Sequence, residues 1–356
     1  MKKLLALAGV TLLAGQFVGG SAHAADCTTS GYSSTYGGCS GNAAAASSTV
    51  TSAQTVAAAS AATAGLVSNR LASITAGGQS TAKLNTSGNK LSYSLDMDEN
   101  GKAAGMGAQK FGVWIDFTGA HFDNADKAAD YDGELYSGMI GFDYRLNDNV
   151  IVGLSGGYEK VETTTTFNAG SEDVTGWTVT PYLGYIINKN YSVDASIGYS
   201  KLDYDMERID ATNQTAITGT TEADRIYGAL NVNGNWNMDN VLLGASLGTL
   251  YAKEEKDAFT ESGAGATSVA AQDTKLGRIS IGGNIGYDFG MITPYLKAKY
   301  GYDYEDGGSG DDNMINGGLG VNFDFGSSVS AGLESTATKK GDYTDVGGSV
   351  NLRVQF

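Results

Sequence analysis

His121 is the only histidine beyond the first 24 residues, and it falls near Asp116, Asp123 and Asp126. A histidine among carboxylates can act as a general base, and a hydrolase could pair it with an aspartate or with a serine nucleophile. No nucleophile motif surrounds it, so the plainer reading is a solvated loop histidine. The run Asp96-Met97-Asp98-Glu99-Asn100-Gly101 matches the first half of a calcium loop. The bidentate glutamate that such a loop needs would fall at position 107, which is Gly107, so a polar turn is expected instead. The Asp-Phe-Gly triplets at 288–290 and 324–326 read as strand ends entering turns, since no other kinase element is present. Cys27 and Cys39 are too few to hold zinc. In an oxidising compartment they would close a local disulfide around a Thr/Ser/Gly/Tyr loop. No residues are therefore assigned to catalysis, to a cofactor or to a metal, and the chain is expected not to be an enzyme.

The N-terminus indicates that compartment. Lys2 and Lys3, the apolar run from Leu4 to Ala14, and Ala22-His23-Ala24 have the form of a secretory signal, residues 1–24, cleaved before Ala25. Its core is too short to span a bilayer, and no later apolar run approaches ~20 residues. Asp26 before Cys27 argues against lipidation. A net charge of −16 argues against nucleic acid as a partner, because phosphate binding needs a basic surface.

What positions these residues is a repeating unit that begins near residue 111. In Ile279-Ser280-Ile281-Gly282-Gly283-Asn284-Ile285-Gly286-Tyr287-Asp288-Phe289, the residues Ile279, Ile281, Ile285, Tyr287 and Phe289 share one face. Ser280, Gly282, Asn284, Gly286 and Asp288 share the other. Tight turns are predicted at 147–149, 188–190 and 238–240, and around Gly290 and Gly326. Longer polar loops are predicted near 122–131, 168–173, 210–221, 257–272, 305–312 and 338–342. Short and long connections alternate around about twelve strands, as in an up-and-down transmembrane β-barrel. A propeller would need four strands per repeat, whereas each unit here holds a hairpin pair. Fifty-one glycines and 20 tyrosines suit a crowded lumen and aromatic girdles, and the 2 prolines, Pro181 and Pro294, are expected at bulges or strand ends. In the last strand Val350, Leu352, Val354 and Phe356 alternate with polar residues. They read as the closing strand, with an aromatic end that serves as a barrel-assembly signal.

The remaining zones are a small, polar segment at 25–48, an Ala/Ser/Thr-rich segment at 49–75, and a Gly/Ser/Asn-rich linker at 76–107. Alanine content favours a helix over 49–75, of about 40 Å at ~1.5 Å per residue; a low-complexity linker is the alternative. Arg145, Arg278, Asn284, Asp288, Lys297, Lys299, Asn322, Asp324 and Arg353 are predicted to face the lumen.

Phe111-Gly112-Val113-Trp114-Ile115-Asp116 and Ser137-Gly138-Met139-Ile140-Gly141-Phe142-Asp143-Tyr144-Arg145-Leu146 resemble the first two strands of an autotransporter β-domain. Residues 150–158, the two Thr-Pro-Tyr-Leu motifs at 180–183 and 293–296, and the terminal Phe356 extend the resemblance over roughly residues 60–356. It implies a twelve-stranded outer-membrane barrel at 108–356, threaded by a pore helix ending in Val67-Ser68-Asn69-Arg70-Leu71. It also implies insertion by the barrel assembly machinery with periplasmic chaperones, a monomer, and contact with lipid and lipopolysaccharide in a Gram-negative outer membrane. Only about twenty-five residues separate the signal from the expected helix, so no large passenger is expected.

Acidic residues cluster in the expected outer loops: Asp123, Asp126, Asp130 and Asp132; Glu254, Glu255, Asp257 and Glu261; Asp303, Glu305, Asp306, Asp311 and Asp312. They could hold divalent cations at a lipopolysaccharide surface, but solvation of loops is the plainer reading. The leading expectation is translocation or display of the short N-terminal segment. The alternative is a porin-like channel or structural protein that secretes nothing. A plugged barrel should be nearly closed, and removing residues 49–75 should open it.

Overall fold

The computed structural model describes residues 59–60, 63–65, 83–87, 90–94, 111–125, 130–166, 168–210, 214–306, 311–325 and 329–355. The signal segment, Cys27 and Cys39, residues 96–101, Asp126, Gly326, Phe356 and all but five residues of the 49–75 segment lie outside these.

Alternation of apolar and polar residues yields long strands. Two short ones come first, β1 (Lys83–Ser87) and β2 (Lys90–Ser94), followed by β3 (Phe111–Asn124), β4 (Tyr131–Arg145), β5 (Val150–Thr165) and β6 (Gly170–Ile186). Next are β7 (Tyr191–Ile209), β8 (Ala216–Met238), β9 (Val241–Lys256), β10 (Phe259–Thr260) and β11 (Ser268–Val269). The remainder are β12 (Gln272–Tyr287), β13 (Ile292–Glu305), β14 (Asn313–Asp324), β15 (Val329–Lys340) and β16 (Tyr343–Gln355). β3 to β9 and β12 to β16 form a closed antiparallel barrel of twelve strands, the number the sequence predicts. β16 closes it against β3, with Leu352 opposite Ile115 and Val354 opposite Val113. Closure leaves no open ladder edge in the lipid, which every spanning sheet requires.

The outer surface carries the apolar belt. On β6 the outward row runs Trp177, Val179, Pro181, Leu183, Tyr185, all exposed. From Trp177 to Tyr185 this row covers about 26 Å at ~3.3 Å per residue, or roughly 20 Å once the strand is tilted, close to the height of a membrane band. Aromatic residues edge the belt on both sides: Tyr136, Tyr158, Trp177, Tyr199 and Tyr251 above; Phe111, Tyr185, Tyr191, Tyr287 and Phe289 below.

The short turns lock the lower rim. In two of them an asparagine side chain caps the turn: Asn147 Oδ1 accepts from the amides of Asn149 and Val150, and Asn188 Oδ1 from those of Asn190 and Tyr191. The third residue of each turn reaches onward, with Asn149 Nδ2 donating to the Ile186 carbonyl and Asn190 Nδ2 to that of Asn235. Gly290, with φ of 95°, supplies the left-handed residue of a further turn.

Three features depart from the sequence reading. Above the aromatic belt the strands continue through most of the expected outer loops: β3 reaches Asn124, β6 starts at Gly170, β8 at Ala216, and β15 runs to Lys340. Side-chain polarity inverts there. On β7, Ile197 and Tyr199 point outwards with Ser196 and Ser200 inside, but higher up Lys201, Asp203 and Asp205 point outwards with Leu202 and Tyr204 inside. Polar residues outside a strand are solvated once it leaves the lipid, and outward ion pairs such as Lys201–Glu222 lie at this level. Secondly, Pro181 sits mid-strand at neither a bulge nor an end. Its register with β5 is intact, and only the local pairing of residues 180–181 with β7 is missing, as expected where an N–H is lost. Pro294 is the third residue of β13, near its end. Thirdly, the 76–107 linker contains the antiparallel β1–β2 pair.

Candidate functional site: the barrel lumen

Three groups of inward side chains line the lumen. Nearest the outer mouth is an apolar collar of Phe122, Tyr131, Leu135, Val161, Val174, Leu202, Tyr204, Ala223 and Tyr343, and Ala59 is buried within it. Residues 59–60 and 63–65 are helical, while the rest of the expected 49–75 helix lies outside the described residues. Ala64 packs with Tyr227, Leu250, Ala252 and Leu276 on β8, β9 and β12. Small residues at these positions let a helix backbone approach the wall closely. Tyr131 and Tyr343 are the outer-end residues of β4 and β16, so Ala59 lies at the mouth.

Buried ion pairs stand beside this collar and below it: Lys340 is opposite Tyr343 and Lys256 opposite Ala223. Arg225 sits between two carboxylates, with Nη1 at 2.7 Å from Glu159 Oε1 and Nε at 2.9 Å from Glu254 Oε2. The Tyr204 hydroxyl donates to the other Glu254 oxygen at 2.5 Å, and Lys256 Nζ lies 4.1 Å from the Tyr204 ring centroid, facing Glu172. Across the barrel, Arg278 holds Asp303 with two hydrogen bonds, and Lys340 Nζ joins at 2.7 Å. Lys297 and Tyr295 share Glu334, at 2.6 and 2.9 Å. A charge in a low-dielectric wall is tolerated only when paired in this way, and losing one partner leaves the other stranded.

The lower layer is rich in amides and aromatic rings. Asn231 and Asn233 donate to the two oxygens of Asp194. Trp114 Nε1 donates to the Tyr182 hydroxyl, which donates to the Phe142 carbonyl, both at 3.0 Å. The Tyr182 ring lies so flat on β5 that a Cβ on Gly153 would fall 2.1 Å from it, and Trp114 covers Gly141 in the same way. Part of the glycine content of the lumen therefore makes room for rings from neighbouring strands.

Above the barrel, β10 and β11 form a small hairpin joined to β8 by the Thr218–Ser262 bridge. Arg208 clasps it with two bonds to Glu261, at 2.9 and 2.8 Å, and the Thr267 amide and hydroxyl donate to the same carboxylate. Burial pushes the Glu261 carboxyl up, but Arg208 and Thr267 outweigh it and hold it below its ordinary value of 4.5.

Of the predicted lumen residues, Arg278, Asn284, Lys297, Asn322, Asp324 and Arg353 are buried, while Arg145, Asp288 and Lys299 are half-buried. Val350 and Leu352 face outwards in the closing strand, and Val354 is half-buried. His121 and Asp123 also face outwards, on β3, while Asp116 is buried on the opposite face, so these residues do not converge. Among the described residues no group of His, Cys, Asp and Glu could hold a metal ion. Glu254, Glu261 and Asp303, expected as solvated loop charges, are instead buried and paired. Sequence reasoning also missed Glu159, Arg225 and Glu334. The available signal was their inward parity on strands whose alternate residues face lipid.

Twelve antiparallel strands with an aromatic-edged apolar exterior, and a charged lumen holding helical residues, define an outer-membrane barrel of the translocator class. A family model described as the autotransporter beta-domain matches residues 113–336, and the chain belongs to that family, which implies the Gram-negative outer membrane. The fold is similar to the translocator domain of NalP from Neisseria meningitidis, with a TM-score of 0.63 and 12% identity over 70% of this chain and 90% of that one. It is also similar to the β-domain of the Bordetella autotransporter BrkA, with a TM-score of 0.58 and 12% identity over 69% of this chain and 100% of that one. Among curated sequences it is 25% identical to the uncharacterised protein YaiT of Escherichia coli K12, over 70% of this chain and 27% of YaiT. It is 26% identical to esterase EstA of Pseudomonas aeruginosa, over 56% of this chain and 33% of EstA. The chain thus spans about a quarter to a third of the length of the curated relatives it matches.

Proposed function

We propose that this barrel translocates or displays its own short N-terminal segment, residues 25–48, at the cell surface, with residues 49–75 left in the pore as a helix. The observation that carries this reading is the burial of Ala59, Ser60, Thr63 and Ala64 inside the barrel, each at most 5% exposed. Ala59 lies in the collar at the outer mouth, and Ala64 lies with Leu250 and Leu276 deeper in the wall, so the chain descends from mouth to interior as its numbering rises. Residues before 59 would then emerge on the long-loop side. A signal over residues 1–24 would deliver the chain to the periplasm, and lipid, lipopolysaccharide and the barrel assembly machinery would be its partners. The reading needs no reaction: the outward placement of His121, apart from Asp116, favours a non-enzymatic barrel, and the activity of EstA is not carried over.

Cysteine pairing tests the occupied pore against the porin-like alternative. With Cys27 and Cys39 changed to Ser, Ala64→Cys is combined in turn with Leu250→Cys, Ala252→Cys and Leu276→Cys. At least one pair is expected to cross-link in folded barrels on intact cells. Complete failure of all three pairs in folded barrels would contradict a helix held in the pore.

A further inference from the structure

β1 and β2 lie within a region read from sequence as a plain connection, yet they pair in register from Lys83 opposite Ser94 to Ser87 opposite Lys90. β1 approaches β8, β9 and β12, whereas β2 approaches β14 and β15, in each case within 8 Å between Cα atoms. Along the wall, β8 to β15 covers five strand spacings through β9, β12, β13 and β14, about 24 Å at ~4.8 Å each. A ribbon of two strands is only about one spacing wide. On the convex outside it could not touch both ends of that arc, whereas on the concave side the arc curves around it. The inner wall of this arc is also covered: Asn233 on β8, Thr293 on β13, and Asn316 and Asn322 on β14 are each no more than 1% exposed. Polar side chains lining a wide water-filled lumen would not be so fully enclosed.

We infer that the β1–β2 hairpin is a second plug, lying across the lumen and sealing the barrel independently of the helix. This changes the expectation for the pore. Removing residues 49–75 alone leaves the barrel closed, and the lumen opens only when the hairpin is lost as well. The barrier to solutes would therefore survive any loss or export of the helical segment. The inference does not depend on display at the surface, which could fail while the hairpin still seals.

The test is single-channel recording in planar bilayers on four purified forms: the full chain, a deletion of 49–75, a deletion of 80–97, and both deletions together. Heat-modifiable mobility in gels confirms that each barrel is folded. The helix deletion is expected to keep the closed baseline, and the double deletion to show a persistent open level. As a milder disruption, Asn85→Pro with Ser92→Pro breaks a register pair of the ribbon, and in the helix-deleted chain it should also produce openings. A helix deletion that alone conducts as fully as the double deletion would overturn the inference, as would a double deletion that folds and stays closed.

Discussion

At Gly153 the space for a side chain is taken by the Tyr182 ring, and that ring cannot swing away without breaking its bonds to Trp114 and to the Phe142 carbonyl. Gly153→Ala should therefore cost about 1–3 kcal/mol, the usual range for an overpacked site. Gly317→Ala, with nothing within 4 Å of the added carbon, should be near neutral. Urea unfolding of the two variants in vesicles checks the contrast, and equal losses would contradict it. The Arg208–Glu261 clasp makes a different prediction. Because the folded Glu261 has a depressed pKa, its contribution is fully present above the ordinary value of 4.5 and is lost as pH falls through the lower, folded value. Protection from hydrogen exchange in residues 257–271, relative to the intrinsic rate at each pH, should thus be high at neutral pH and fall only below about pH 4.5. Glu261→Gln should show low protection already at neutral pH, and unchanged protection in that variant would refute the clasp.

At the scale of elements, strand number, the turns at 147–149, 188–190, 238–240 and around Gly290, and the lipid face were legible, because lipid enforces one simple alternation over the spanning part of every strand. Ile281 shows how strict that face is: it is 59% exposed at mid-height on β12, so Ile281→Lys should cost about 2–4 kcal/mol of barrel stability in bilayers, measured by denaturant titration. What escaped the sequence lies above the membrane. There Leu202 and Tyr204 turn inwards and Asp203 and Asp205 outwards, so the rule reverses within a single strand and its polar half reads as loop. The same reversal hid the collar that receives Ala59. The partners of Arg225 were illegible for another reason: Glu159 and Glu254 come from β5 and β9, and only closure of the barrel brings the three together.

For the molecule as a whole, the barrel has two regimes along one axis. Its lower part is a membrane barrel with a polar interior, and its upper part is solvated outside, with an apolar collar and buried ion pairs within. Ala59 lies in the collar and Ala64 against β8, β9 and β12, while β1 comes within 8 Å of β8, β9 and β12 and β2 within 8 Å of β14 and β15. A lumen filled in this way suits a barrel that carries its own chain outwards better than one that conducts solutes. The most direct test of that central claim is an epitope inserted after Asn42, probed with antibody and protease on intact cells alongside a periplasmic control protein. Display predicts that the epitope is reached while the control stays protected. An epitope reached only after the outer membrane is opened would place the N-terminus in the periplasm and contradict the account.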